Sequence, residues 1–268
     1  MIDLLQITND PAFARRCDAL DGIRLFVDLE RTGKAERQAG RNTFISTHEI
    51  ADVGRIKSVL SRSSLMVRVN PLHAGTAQEV DAVINEGADM VMLPMFTSAR
   101  QVLDFCGIVG GRVPVVPLLE TAQALACVDE WAGVAGLGEI FMGLNDLHLS
   151  LGLRFMFEPL ASGLVERVSL AARHRRLRFG FGGIARVDEG LLPGRDVLAE
   201  HLRLGSRGVI LSRTFNHDPS GSTFEKDVAA LRTAEAELVL RTPDEVQADA
   251  LRIAAAVSSI ASGMGQRA

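Results

Sequence analysis

Two apolar segments of this chain each close on a carboxylate: VPVVPLLE at Glu120, and EIFMGLND at Asp146, next to Asn145. Runs rich in Val, Ile and Leu, entered from a turn, read as strands buried on both faces, as in parallel sheets. An unpaired charge at the end of such a strand is costly, so the two acids need a shared partner. A divalent cation held by oxygen ligands is the simplest one.

The elements that must position these acids alternate between two patterns. DLLQIT (3–8), IRLFVDLE (23–30), SLMVRVN (64–70), DMVMLPM (89–95), VPVVPLLE (113–120), EIFMGL (139–144), RFGFGGI (178–184) and RGVILSR (207–213) are short apolar segments. Between them lie helical patterns, such as TAQEVDAVINEGA with Val80, Val83 and Ile84 on one face, and TSARQVLDFCGIV with Val102, Leu103 and Cys106 on one face. Gly87 and Gly107 stand where helix-ending glycines are expected. Eight strand and helix pairs in a chain of this length have the rhythm of a closed (β/α)8 TIM barrel. An open doubly wound sheet competes, but no GxGxxG follows the first strand, so its dinucleotide version lacks the phosphate turn.

Two segments break the rhythm. RTGKAERQAGRNTFISTH (31–48) is polar and longer than ordinary connections, which makes it a candidate cover for a site. RTPDEVQADALRIAAAVSSIASGMG opens on a Thr242 cap with Pro243 at the first helical position. An apolar stripe through Val246, Leu251, Ile253 and Val257 follows. The chain is therefore expected as a barrel over 1–241 and an additional C-terminal helix over 242–268. That helix packs either on a neighbouring subunit or on the base of its own barrel.

Composition removes several classes. The 268 residues are 47% hydrophobic and 23% charged, ordinary for a globular protein. Lys plus Arg number 29 against 33 Asp plus Glu, a net charge of −4, so no overall basic field favours nucleic acid. Cys17, Cys106 and Cys127 are odd in number and show no CxxC spacing, which fits buried thiols in a reducing compartment. Asp3 and Asp10 stand where a signal peptide needs positive charge, and no run reaches the roughly 18 apolar residues of a membrane span, so a cytoplasmic protein is expected.

In a parallel barrel the strand ends that lead into the helices share one rim, where barrel enzymes keep their sites. On this chain that rim carries Asp28 and Glu30, Arg68 and Asn70, Pro94, Glu120, Asn145 and Asp146, and Arg213. Carboxylates, an arginine fork and amides together suit a metal with an anionic, oxygen-rich ligand.

LMVRVNP, GADMVMLPM, PLLETAQAL and FMGLNDLHLSLG, with DLE at 28–30, resemble the blocks of the HpcH/HpaI aldolase and citrate lyase beta-subunit family of the phosphoenolpyruvate/pyruvate barrel superfamily. The likeness runs in the family's order from about residue 23 to 153. It implies that Glu120 and Asp146 hold Mg²⁺ or another divalent cation such as Mn²⁺. It also implies that Arg68, with Asn145 beside it, binds the carboxylate and keto oxygen of a pyruvate-like species. Asp28 and Glu30 would orient water around the metal, and the assembly would be a homo-oligomer, trimer or hexamer. The implied activity is metal-dependent cleavage of a carbon–carbon bond, retro-aldol or Claisen-type, in a small 2-keto or hydroxy carboxylate. Aldolases of the HpaI type place a His directly after the acidic block; this chain has Arg31 there, leaving His48 as the nearest substitute base.

Plainer readings stand beside these. Arg68 could pair with Glu120 or Asp28 inside the barrel, and Asp146 could serve a helix N-terminus. His48, His73 and His148 could be ordinary loop and helix-end residues. GFGGIAR (180–186) could be an anion cradle or a strand end where only Gly fits, and HRRLR (174–178) a solvated helix end. Two further functions stay open: an enolpyruvate-type decarboxylase or isomerase on the same site, and a ligand-binding barrel without catalysis. The absence of Tyr and a single Trp131 leave little aromatic surface for an adenine, which weighs against a coenzyme A substrate.

Overall fold

The computed structural model describes residues 1–33, 47–215 and 223–264. Eight parallel strands follow one another in chain order around a closed barrel. They are β1 (Asp3–Ile7), β2 (Ile23–Asp28), β3 (Leu65–Arg68), β4 (Met90–Leu93), β5 (Val115–Leu119), β6 (Glu139–Met142), β7 (Arg178–Ile184) and β8 (Gly208–Leu211). Each lies within one of the apolar segments expected from the sequence, and all but β7 are shorter than that segment. The fold is thus the expected (β/α)8 barrel with a helix after it. The segment read as a cover, 31–48, lies mostly outside the described residues.

The chain divides into two compact units, Leu4–Phe141 and Met142–Ala268 with Met1–Asp3. The first contains α1 (Pro11–Asp18), α2 (Ile50–Lys57), α3 (Thr76–Asn85), α4 (Ala99–Val109), α5 (Ala122–Ala126) and α6 (Val128–Trp131). Helix α3 turns off at Gly87, whose φ of 99° only glycine adopts without strain. Gly107, in contrast, lies inside α4, which runs on to Val109 and ends at Gly110 with φ 63°. The extra turn buries Val109, and that burial overrides the glycine as a stop. Leu103 is likewise on the outer face of α4, half exposed, and Phe105 takes the inward place beside Val102 and Cys106.

Alternate positions of a strand share a face. On β2 that face carries Arg24, Phe26 and Asp28, giving a charged layer at each end of the strand with a ring between. At the lower end Arg24 Nη1 meets Glu139 Oε2 of β6 at 2.7 Å, both buried. At the upper end Asp28 stands in register with Arg68 of β3. The Arg68 guanidinium also lies 5.7 Å from the Phe26 ring centre, a cation–π contact.

The second unit holds α7 (Leu144–Ser150), α8 (Glu158–Ala161), α9 (Leu164–His174), α10 (Gly194–Arg203), a 3₁₀ turn Arg213–Phe215, α11 (Phe224–Val239) and α12 (Pro243–Met264). Thr242 and Glu245 close a reciprocal cap on α12: the Thr242 hydroxyl accepts from the Glu245 N–H, and the Glu245 carboxylate accepts from the Thr242 N–H at 2.7 Å. The helix buries Ile253, Val257 and Ala261 and lies against α8 and α10. Leu251, expected on that stripe, is 64% exposed, because the helical period carries the inward face through 253, 257 and 261 and turns 251 away. In β7 the ladder slips between Gly180 and Gly183, and Gly182 has φ 55° with Leu144 Cδ1 3.1 Å from where a Cβ would stand. GFGGIAR therefore holds a packed strand, with Gly182 as the position that calls for glycine. No described helix is long and apolar enough to cross a membrane.

Candidate active site

The upper end of β2, β3 and β5 gathers one guanidinium and three carboxylates. Because Asp28 and Arg68 are register partners on adjacent parallel strands, their side chains leave the sheet side by side. They form a two-point fork: Arg68 Nε donates to Asp28 Oδ1 and Nη2 to Oδ2, each at 2.8 Å. Arg68 Nη1 lies 3.4 Å from Glu30 Oε2 and 3.9 Å from Glu120 Oε1. All three acids are buried. Burial alone would lower the proton affinity of Arg68, but the charge and hydrogen bonds of Asp28, with Glu30 and Glu120 behind, outweigh it. The guanidinium is firmly cationic. The pairing of Arg68 with Asp28, one of the plainer sequence readings, is thus present, and it leaves Nη1 directed between Glu30 and Glu120.

Glu120 follows β5 directly. Its Oε1 lies 3.9 Å from Arg68 Nη1, and its Oε2 accepts the Met95 N–H at 3.3 Å. Met95 follows β4 and Pro94 with a left-handed φ of 55°, uncommon for a side chain of its size. That conformation accompanies an amide directed at Glu120, and strained backbone of this kind collects at functional sites. Thr121, the next residue, caps α5 through its hydroxyl and also donates to the Phe96 carbonyl at 2.8 Å, tying the β4 and β5 ends together.

His48 is buried, and its Nδ1 accepts the Asp28 N–H at 3.1 Å. A ring nitrogen that accepts an amide proton carries none of its own, so the neutral ring holds its proton on Nε2. In this state His48 is a donor and a brace for the β2 end. Arg31, standing where the resemblance expects a histidine, donates from Nη2 to the His48 carbonyl at 2.7 Å, and its N–H donates to Asn70 Oδ1 at 2.9 Å. Asn70 in turn donates to Glu79 at 2.7 Å. Arg31 and Asn70 therefore tie the chain just after β2 to the end of β3.

Asn145 and Asp146 open α7 in the second unit, Asn145 exposed and Asp146 half-buried in the first turn, where a carboxylate suits the helix dipole. Arg213 begins the 3₁₀ turn after β8. His148 is buried with Nδ1 3.1 Å from the Leu144 carbonyl, and His73 lies 3.1 Å from Glu79; both are helix-end and loop contacts. Among the described residues no three His, Cys, Asp or Glu side chains by themselves form a metal cage. The donor set nevertheless fits a hard cation: Mg²⁺ takes one or two protein carboxylates and leaves its other positions to water and substrate oxygens.

The model of the HpcH/HpaI aldolase/citrate lyase family matches residues 8–178, well over half of the chain. The chain belongs to that family. Membership makes this HpcH/HpaI protein an enzyme of the aldolase/lyase type. Its fold is similar to that of a citrate lyase beta subunit from M. tuberculosis, complexed with oxaloacetate and magnesium, at 20% identity and TM-score 0.60 over 87% of this chain and 96% of that one. It is similar also to an HpcH/HpaI aldolase/citrate lyase family protein from Burkholderia cenocepacia J2315 (16% identity, TM-score 0.62, 90% and 95% covered). A third similar structure is an HpcH/HpaI aldolase from Desulfitobacterium hafniense DCB-2 (17%, 0.60, 89% and 91%). No curated protein sequence matches this chain.

Proposed function

We propose that this HpcH/HpaI protein is a divalent-metal-dependent carbon–carbon lyase that cleaves a small 2-keto or hydroxy carboxylate through a pyruvate-like enolate. The observation that carries this reading is the cationic Arg68 fork, set among Asp28, Glu30 and Glu120 at the strand ends. Cleavage next to a carbonyl moves the bonding electron pair onto the carbonyl oxygen. A preorganised cation at that oxygen is worth about two to three decades of rate. Arg68 Nη1 supplies the N–H donors, while the fork to Asp28 keeps the guanidinium plane fixed as charge develops.

Glu120 would hold Mg²⁺ or Mn²⁺, whose contribution when bound is Lewis-acid stabilisation of the same oxygen. Magnesium and oxaloacetate in the M. tuberculosis neighbour support that assignment of cofactor and substrate class. Asn145 is assigned to the substrate's oxygens. His48 positions Asp28 and presents Nε2–H as a donor.

The test is a panel of 4-hydroxy-2-keto acids with and without Mg²⁺ or Mn²⁺, read as pyruvate released, with oxaloacetate added to separate decarboxylation from aldol cleavage. Metal-dependent pyruvate release from a hydroxy-keto acid is the expected result. A metal affinity weaker than about 1 mM would end the proposal.

A further inference from the structure

We propose that a second, unassigned groove, bounded by Arg173, Arg176, Arg178 and Arg207, binds a small oxyanion carrying two or more negative charges. The groove has a volume of about 270 Å³ and lies in the second unit, where α9 ends and β7 and β8 begin. It is therefore at the N-terminal ends of strands, whereas the proposed lyase site is built on C-terminal ends.

Two stretches of chain, 173–178 and the residues just before β8, deliver the four guanidinium groups. Arg178 is anchored by Asp3 Oδ2 at 2.6 Å and by the Arg207 carbonyl at 3.2 Å. Arg173, Arg176 and Arg207 have no carboxylate partner among the described residues. The nearby Arg203, in contrast, is taken up by Glu200 and Glu166. The Arg173 guanidinium lies over the turn before β8: a Cβ added at Gly205 would stand 3.4 Å from its Nη2. Ser169, buried, also lines the groove, its hydroxyl donating to the Glu166 carbonyl at 2.8 Å.

The turn itself carries the second observation. The Arg176 N–H donates to the Arg173 carbonyl at 3.0 Å and the Leu177 N–H to the Ala172 carbonyl at 2.9 Å, closing α9 with Arg176 at φ 57°. Glycine or asparagine relaxes such a position, and a long charged side chain there is kept at a cost in stability. Attraction to the helix dipole accounts for arginines in the last turn of α9, but not for Arg178, which begins β7, or Arg207, which precedes β8. Planar forks match carboxylate and phosphate oxygens, and a groove of this size admits a pyrophosphate or a tricarboxylate. Four guanidinium groups, one of them offset by Asp3, form a local positive field in a chain of net charge −4, and that field favours such an anion.

The experiment is calorimetric titration of the full chain, stripped of metal and exchanged into chelator-free buffer at low salt, with pyrophosphate and 1,2,3-propanetricarboxylate as probes. Wild type is compared with Arg173→Ala/Arg207→Ala and with Arg176→Gly. Wild type is expected to bind one equivalent below about 1 mM. Binding should weaken about tenfold for each arginine removed. Binding of pyrophosphate alone assigns the groove to phosphate esters, and binding of both assigns it to charge in general. Arg176→Gly should weaken binding while raising the melting temperature, which separates loss of ligand from loss of fold. Failure of wild type to bind either probe, or variants that bind as wild type does, overturns the proposal.

Discussion

The Asp28–Arg68 fork joins two residues that each look out of place at the end of an apolar strand, and its chemistry depends on shape as much as on charge. A lysine at 68 keeps the charge and loses the planar fork, so Arg68→Lys should lower kcat/KM for pyruvate release by about a hundredfold while the chain stays folded. Asp28→Asn removes one charge from a buried pair and should cost about 3 kcal/mol in urea denaturation. Asp28, Glu30, Arg68 and Glu120 were legible in the sequence because a charge closing an apolar run is anomalous wherever it occurs. The role of His48 was not, since the direction of the Asp28 N–H that occupies its Nδ1 leaves no mark on composition or spacing. Met95 was hidden for the same reason: nothing in a methionine announces a left-handed backbone. The Arg24–Glu139 pair went unseen because its partners, 115 positions apart, each read as an ordinary polar strand start.

Strands were easier than their partners. A segment buried on both faces declares itself by content alone, whereas a helix facing both core and solvent depends on phase, and the phase misled at Leu103 and Leu251. Gly107 shows the same limit: a glycine can end a helix, but whether it does is settled by what the next turn buries. Arg176 reverses the case, ending α9 in a conformation where glycine would serve better. Arg176→Gly should therefore raise stability by about 1 kcal/mol, read as a higher urea midpoint at unchanged slope. At the other end of the strands, Arg24→Met alone should cost about 3 to 5 kcal/mol by stranding the buried Glu139. Arg24→Met with Glu139→Leu should recover most of that loss, since an apolar pair of similar volume removes the stranded charge. The double-mutant cycle measures it.

Stability of the whole molecule should carry a pH signature from the second unit, where His201 of α10 is completely buried. It stacks on Phe181 with ring centres 3.7 Å apart, and its Nδ1 lies 2.7 Å from Ser206 Oγ. Burial lowers its pKa from 6.5 to about 3, so the folded protein keeps this ring neutral while the unfolded chain protonates it below 6.5. The sign follows from proton counting. Between pH 6.5 and 3 the unfolded state binds the extra proton, and this group's contribution falls as pH falls, by up to about 1.4 kcal/mol per unit. Asp18 acts lower down. Burial raises its pKa, but hydrogen bonds from Ser63, Ser61 and Arg62 outweigh that and hold it below 3.8, so its contribution is present above 3.8 and lost on further acidification. The window from pH 6.5 to about 4 therefore isolates His201 from Asp18. His201→Leu should flatten urea midpoint against pH in that window. Its absolute stability also reports the altered packing against Phe181, so the slope is the quantity to compare. Ser206 loses no essential partner in that variant, because its hydroxyl also reaches the Phe179 and Gly208 carbonyls at 3.3 Å. A slope as steep in His201→Leu as in wild type would place the proton uptake elsewhere.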